Sequence, residues 1–269
     1  MLGALAFLLG VSVGSFVNVV ADRLPGGRSL VRPRSFCESC NRTLTSLDLV
    51  PIVSYLWLRG RCRHCGARIP LRSPLVELFT GALFTLTYLR FGYSAETVVV
   101  CAALSVLLIV TLIDLEHGLI LNVIVFPTMA ALVVVAPFWS ELGFARPLLG
   151  SLGMPASLFN SLIAGAGAFA IFLAIALISP EGMGAGDVKF AGVLGLMLGF
   201  PGVLFALWLA VVTGGLVAVV FLLLRKRGRK DAIPFGPFLA LGAAVVLLVG
   251  ADLSTGYQEF AARLPGFWA

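Results

Sequence analysis

Apolar residues run through this chain in long, nearly unbroken stretches: Leu2–Ala21, Leu75–Phe91, Thr97–Ile113, Leu119–Phe138, Leu158–Ser179, Val188–Phe200, Val203–Leu224 and Phe238–Gly250. A helix needs about 20 mostly apolar residues to cross a hydrocarbon core about 30 Å thick. The pattern therefore predicts eight membrane helices. The sixth is short, about 20 Å as a straight helix, and fits an incomplete span or a thinned bilayer. The runs are too long and too continuous for the alternating strands of a membrane barrel. Leu2–Ala21 has neither a basic leading segment nor a convincing cleavage site, so it reads as a retained first span rather than a signal peptide. The expected architecture is an all-α polytopic membrane protein with a small polar insertion between its first two helices. It divides into 1–21, 22–74, 75–251 and a periplasmic tail, 252–269.

Composition supports this class. Hydrophobic residues make up 59% of the 269 and charged residues 12%, about half the roughly 25% of an ordinary soluble domain. The mean hydropathy is +1.05. A disordered chain, a coiled coil and nearly every water-soluble enzyme are excluded.

Charge then sets orientation. Of 19 basic residues, ten arginines lie between Arg23 and Arg72, and five more form the run Arg225, Lys226, Arg227, Arg229 and Lys230. The positive-inside rule makes both loops cytoplasmic. Eight spans satisfy this with an outside amino terminus. The basic loops thus report topology and contact with anionic membrane lipids. No nucleic-acid partner is expected.

The insertion carries Cys37-Glu-Ser-Cys40 and Cys62-Arg-His-Cys65, with 21 residues between the pairs. Two CxxC knuckles at this separation suit a four-thiolate zinc site. Disulfides are the alternative, but a reducing cytosol keeps thiols free. Four thiolates leave zinc no open position, so the metal is expected to be structural, supplying folding energy to a segment with little apolar core. His64 reads as a solvated knuckle residue and Cys101 as packing.

Elimination narrows the chemistry. There are two histidines, His64 and His117, and no HExxH pattern, so neither a serine triad nor an intramembrane zinc protease stands out. What remains near the membrane is acidic: Glu77, Asp114, Glu116 and Asp187. Ionisable groups in or beside spans are costly and point to function. Asp114 ends the third span, and Asp187 begins the sixth after Gly182-Met183-Gly184-Ala185-Gly186. The topology puts both at the cytoplasmic border. Two carboxylates held close share a proton, so one can take a proton from water while the other polarises a carbonyl. An aspartate at a helix start is often only an N-cap. An aspartate at a helix end is opposed by the macrodipole, so Asp114 is harder to explain structurally. Gly184 and Gly186 allow close backbone approach. Lys189 tunes a neighbouring carboxylate or snorkels to the interface. Glu77 contacts substrate or serves as a packed structural acid.

At these residues the sequence resembles the prepilin leader peptidases/N-methyltransferases, bacterial GxGD intramembrane aspartic proteases. The resemblance rests on Gly14-Ser15-Phe16-Val17-Asn18 with Arg23-Leu24-Pro25, the two CxxC pairs, Pro74-Leu75-Val76-Glu77, Leu112-Ile113-Asp114, Gly184-Ala185-Gly186-Asp187 and Ile233-Pro234-Phe235-Gly236-Pro237-Phe238. Ile120-Leu121-Asn122 lacks the proline the family often has there. The resemblance implies Asp114 and Asp187 as the catalytic pair, Cys37, Cys40, Cys62 and Cys65 as zinc ligands, and a role for 22–74 in methyl transfer. It implies a bifunctional enzyme of the bacterial inner membrane. Such an enzyme cleaves the basic leader from type IV prepilins or type II secretion pseudopilins, then methylates the new amino terminus with S-adenosylmethionine. No glycine-rich Rossmann-type segment is present for that methyl donor. Two other readings are a proteolytic-only peptidase and a transporter with an acidic relay; no inverted repeat supports the latter.

Overall fold

The computed structural model describes residues 2–144, 146, 153–179, 182–224 and 233–262, the last twelve as backbone only. The basic run Arg225–Lys230 and the tail beyond residue 262 lie outside the described residues. Nine α-helices are described: α1 (Leu2–Arg23), α2 (Val53–Trp57), α3 (Arg72–Phe91), α4 (Ala95–His117), α5 (Asn122–Val135), α6 (Met154–Ile178), α7 (Ala185–Leu198), α8 (Gly202–Leu223) and α9 (Gly236–Ala262). Short 3-10 turns add Ser46–Leu49 and Ala136–Phe138. No strand is assigned among the described residues, only two isolated bridges, Phe36 with Thr43 and Arg61 with Arg68.

Each apolar segment of the sequence is occupied by a helix, with α2 an additional short one in the insertion. α1, α4, α6 and α8 are each long and apolar enough to cross a membrane, and Asn122–Phe138 and Gly236–Gly250 are shorter apolar helices. Large apolar side chains cover the outer faces of these helices, among them Leu8, Leu9, Trp208, Val211 and Leu216. That much exposed apolar surface suits lipid rather than water. The chain is an all-helical membrane protein.

Helix boundaries differ from the sequence expectation where polar residues were taken as stops. α4 runs past Ile113 to His117 and ends at Gly118, which adopts φ 63° and returns its N–H to the Asp114 carbonyl at 2.8 Å. Left-handed φ favours glycine, and this is a common helix ending. α5 starts at Asn122 rather than Leu119, because residues 118–121 form that turn. α7 starts at Ala185, so Asp187 lies inside its first turn.

The chain divides into two compact units, Met1–Ile109 and Val110–Ala269. In the first, α1 packs along α3 through small residues. A side chain at Gly10 would stand 2.8 Å from the Gly81 Cα, and one at Gly14 would stand 2.8 Å from the Glu77 Cα. Small residues are how membrane helices come this close. In the second, α7 is the central element, with ten of its fourteen residues buried. Gly195 of α7 meets Gly165 of α6 in the same manner, 2.5 Å from the place of the missing side chain.

Candidate functional site

Three segments of the second unit converge on two carboxylates. Asp114, in the last turn of α4, is buried at 5% exposure and accepts the Gly236 N–H at 2.8 Å. Gly236 is the first residue of α9. A Cβ there would stand 2.6 Å from the Asp114 Oδ2, so only glycine lets the carboxylate reach that N–H. The turn after Asp114 packs on the start of α7, where a Cβ at Gly186 would lie 2.8 Å from the Ile120 Cβ. This contact brings Asp187 toward Asp114, near enough for the charge on Asp114 to act on it directly.

Asp187 is half-buried and does not occupy the N-cap, which is Gly184. From the first turn its carboxylate reaches back to the Gly184 N–H, the return half of a capping box. The simple N-cap reading of the sequence is therefore corrected. Gly184 has ordinary extended backbone, φ −73° and ψ 142°, and places that N–H. Each acid accepts an N–H from glycine backbone, and Asp187 lies in the electrostatic field of Asp114; carboxylates brought close enough can share one proton, as acid–base chemistry requires. Gly236→Ala is expected to lower peptide cleavage about 10- to 100-fold without preventing insertion, since a charge-assisted hydrogen bond is worth about 1.5–3 kcal/mol. Initial rates on a leader-bearing peptide substrate check it.

The sequence-predicted lysine goes elsewhere. Lys189 Nζ donates to Asn122 Oδ1 at 2.9 Å and lies 5.8 Å from the Phe126 ring centre. Among the described contacts it meets neither aspartate, so the expectation that it tunes one is not supported by its position. Glu77 belongs to the first unit. It is buried and accepts the Ile52 N–H at 2.8 Å and a Ser15 hydroxyl. These contacts tie the insertion to α1 and α3. Asn18 assists by donating to the Gly14 and Ser73 carbonyls.

Both cysteine pairs fold alike. Cys37 N–H donates to the Arg42 carbonyl and Cys62 N–H to the Ala67 carbonyl, at 2.9 and 2.8 Å. Asn41 and Gly66 then turn the chain at φ 55° and 70°. The four ligand atoms all lie within 4.8 Å of one another, and Cys37 Sγ stands 3.8 Å from Cys65 Sγ. A zinc–sulfur bond of about 2.3 Å in tetrahedral geometry requires sulfur separations of about 3.8 Å, whereas a disulfide requires about 2.05 Å. The donor set and spacing thus fit a metal ion. Taken without a metal, the Cys37 thiol is held down to about 6 by the N–H groups of Cys40 and Ser39. The Cys65 thiol is pushed up to about 11, against the Ala67 N–H, by desolvation and its sulfur neighbours. Crowded sulfurs resist ionising together unless a cation joins them. His64 lies on the exposed side, 3.3 Å from an Arg42 guanidinium nitrogen, and is outside the sulfur cluster. Cys101 is buried in α4, as packing requires.

Sequence reasoning missed Arg146. Its side chain is 3% exposed, donates to Ser161 Oγ at 2.6 Å, to the Leu196 carbonyl at 3.1 Å and to the Met197 carbonyl, and lies 4.3 Å from the Trp139 ring centre. It therefore caps the far end of α7, where the helix dipole places negative partial charge. The available signal was a lone arginine in a loop that the positive-inside rule leaves nearly free of cations. Arg146→Met leaves three buried acceptors unmet. It is expected to cost about 2–4 kcal/mol, read as earlier thermal inactivation in detergent.

Comparison with known proteins places these features. Residues 8–91 match the model of the Bacterial Peptidase A24 N-terminal domain, and residues 101–219 that of the Type IV leader peptidase family. A Bacillus subtilis (strain 168) protein named prepilin leader peptidase/N-methyltransferase is 32% identical over 96% of this chain and 98% of its own length. Proteins of the same name from Aeromonas hydrophila and Pseudomonas aeruginosa are each 31% identical, over 94% of this chain and 93% and 92% of theirs. No solved structure matches the chain.

Proposed function

From the premise that this chain belongs to the type IV leader peptidase family, we propose how its residues divide the work of cleaving a prepilin leader and N-methylating the new terminus. Asp114 and Asp187 are the catalytic pair. In the resting site they share one proton. The ionised carboxylate takes a proton from a water molecule as it attacks the scissile carbonyl, and the protonated one donates to the carbonyl oxygen. As the gem-diol collapses, the departing amine receives the base's proton and the re-forming carbonyl returns its proton to the other carboxylate, so the pair again holds one proton. The two titrate as a unit, so either can begin as the base. The Gly236 N–H orients Asp114, and the Gly184 N–H orients Asp187.

The convergence of α4, α7 and α9 on these two carboxylates carries the reading. Eight spans, with the basic insertion and the aspartates on the cytoplasmic side of the bacterial inner membrane, fit the substrate. A basic leader stays in the cytosol while an apolar pilin helix lies in lipid, and the bond between them falls at the depth of Asp114 and Asp187. The same geometry suits type II secretion pseudopilins. In the amino-terminal region, Cys37, Cys40, Cys62 and Cys65 hold a structural zinc ion that braces 22–74 as the methyl-transfer region, with 75–251 as the peptidase domain. S-adenosylmethionine supplies the activated methyl group, and no residue of this chain is assigned to hold it.

Mass spectrometry of a prepilin incubated with the enzyme, with and without S-adenosylmethionine, tests the proposal. Loss of the leader in both, and an added methyl mass only with the donor, is the expected result. An unaltered prepilin refutes peptidase action. Cleavage that is never followed by methylation refutes the second activity.

A further inference from the structure

An open cleft of about 530 Å³ lies where the second cysteine knuckle returns to the membrane helices, lined by Arg59, Arg61, Arg68, Tyr55 and Leu71 among others. Arg61 and Arg68 are antiparallel bridge partners, so their side chains leave the same face. Arg59 adopts φ 51°, and Gly60 beside it packs under the Tyr55 hydroxyl, 2.7 Å from where a side chain would begin. No acidic residue lines the cleft. The ion pairs described in the insertion use other arginines, Arg63 with Asp48 and Arg72 with Asp22. Three guanidinium groups around one opening repel each other unless an anion joins them, and their planar donors match phosphate oxygens two at a time.

The surroundings identify the anion's source. Leu71 immediately precedes α3, and α3 lies along the apolar α1. Beside the cleft, α2 projects Val53, Leu56 and Trp57 at 58%, 69% and 82% exposure, and Leu71 itself is 65% exposed. An exposed tryptophan on the helix that brings Tyr55 to a cationic cleft fits a membrane–water interface. The methyl donor is disfavoured here, since its sulfonium and ammonium would face three cations and no carboxylate. A basic leader is disfavoured for the same reason.

We propose that the Arg59–Arg61–Arg68 cleft binds the phosphodiester headgroup of an anionic phospholipid while Trp57 and its apolar neighbours rest among the acyl chains, seating the insertion on the inner leaflet. The inference rests on the cytoplasmic membrane placement of the insertion and on neither reaction. Lipid binding is measured without substrate, so its failure leaves the peptidase reading untouched.

The test is native mass spectrometry of the full chain, released from neutral detergent with phosphatidylglycerol or phosphatidylcholine added. The wild type is expected to retain one phosphatidylglycerol under activation that strips phosphatidylcholine. Arg59→Gln/Arg61→Gln/Arg68→Gln is expected to bind it at least ten-fold more weakly with its metal mass unchanged, and the corresponding triple lysine variant to recover part of the loss. If the glutamine triple loses its metal, single Arg59→Gln and Arg68→Gln variants carry the same comparison. Acyl-brominated phosphatidylglycerol should quench Trp57, a component absent in Trp57→Phe. Equal phosphatidylglycerol retention by wild type and the glutamine variants overturns the proposal. So does displacement of the lipid by millimolar inorganic phosphate, which makes the cleft a soluble-anion site, or by S-adenosylmethionine, which gives it to the methyl donor.

Discussion

Asp187→Asn is expected to cut leader cleavage by at least about 10³-fold while the protein still inserts and keeps its metal, and Asp114→Asn is expected to do the same. An asparagine can neither give nor take the proton, and removing a positioned acid or base typically costs about 10²–10⁴-fold. The two residues act as one device, so the double variant should be little worse than either single one. Wild-type enzyme should show a bell-shaped pH dependence whose two limbs belong to the pair. Asp114 sits deeper, with its one described donor fixed by Gly236. A shortened or lengthened side chain there should also fail, because the carboxylate would leave that N–H. Time courses resolved by mass spectrometry check both variants, and normal cleavage by either one removes that residue from the mechanism.

The second large effect concerns the cysteines. Cys62→Ser is expected to release most of the zinc and to reduce methyl transfer at least about 10-fold, while cleavage changes by no more than a few-fold. Structural zinc contributes about 10–16 kcal/mol to small metal-held folds, far more than a segment with this little apolar core can replace. Cys62 is the buried member of the four, so its loss also opens the second knuckle. Cleavage is spared because the aspartates stand on helices of the other unit. Protons compete with the metal for sulfur. Acidification should therefore lower zinc retention and methylation together, and both should return when the pH is raised. Cys37→Ser should behave as Cys62→Ser does. Undiminished zinc in a variant lacking all four cysteines would refute the metal assignment.

The helices were legible because each is apolar around most of its circumference, which lipid requires and a soluble core does not. Their ends were less so. Asp114 and Asp187 look like punctuation in a hydropathy pattern, yet both lie inside helices. In each case the stop or start is set by backbone geometry at Gly118 and Gly184 rather than by the charge. Loop charge alone pointed to Asp114 and Asp187 as a pair, but it could not point to the residue that orients Asp114. Gly236 lies 122 positions away, and only packing brings its N–H to the carboxylate. The cysteine cluster was legible from spacing, since a knuckle is local. Arg146 was not, because a single arginine in a loop reads as solvated until three carbonyl and hydroxyl oxygens are found around it.

One dimension of α7 has a bearing on where the reaction obtains its water. Fourteen residues reach about 21 Å, some 9 Å less than the hydrocarbon thickness, so α7 alone does not span it. Gly182 and Gly184, just before it, are exposed and non-helical, and backbone of that kind survives at membrane depth only where protein or solvent satisfies it. Exposed glycine backbone directly ahead of Asp187 is therefore suited to meeting water, the second reactant that hydrolysis needs.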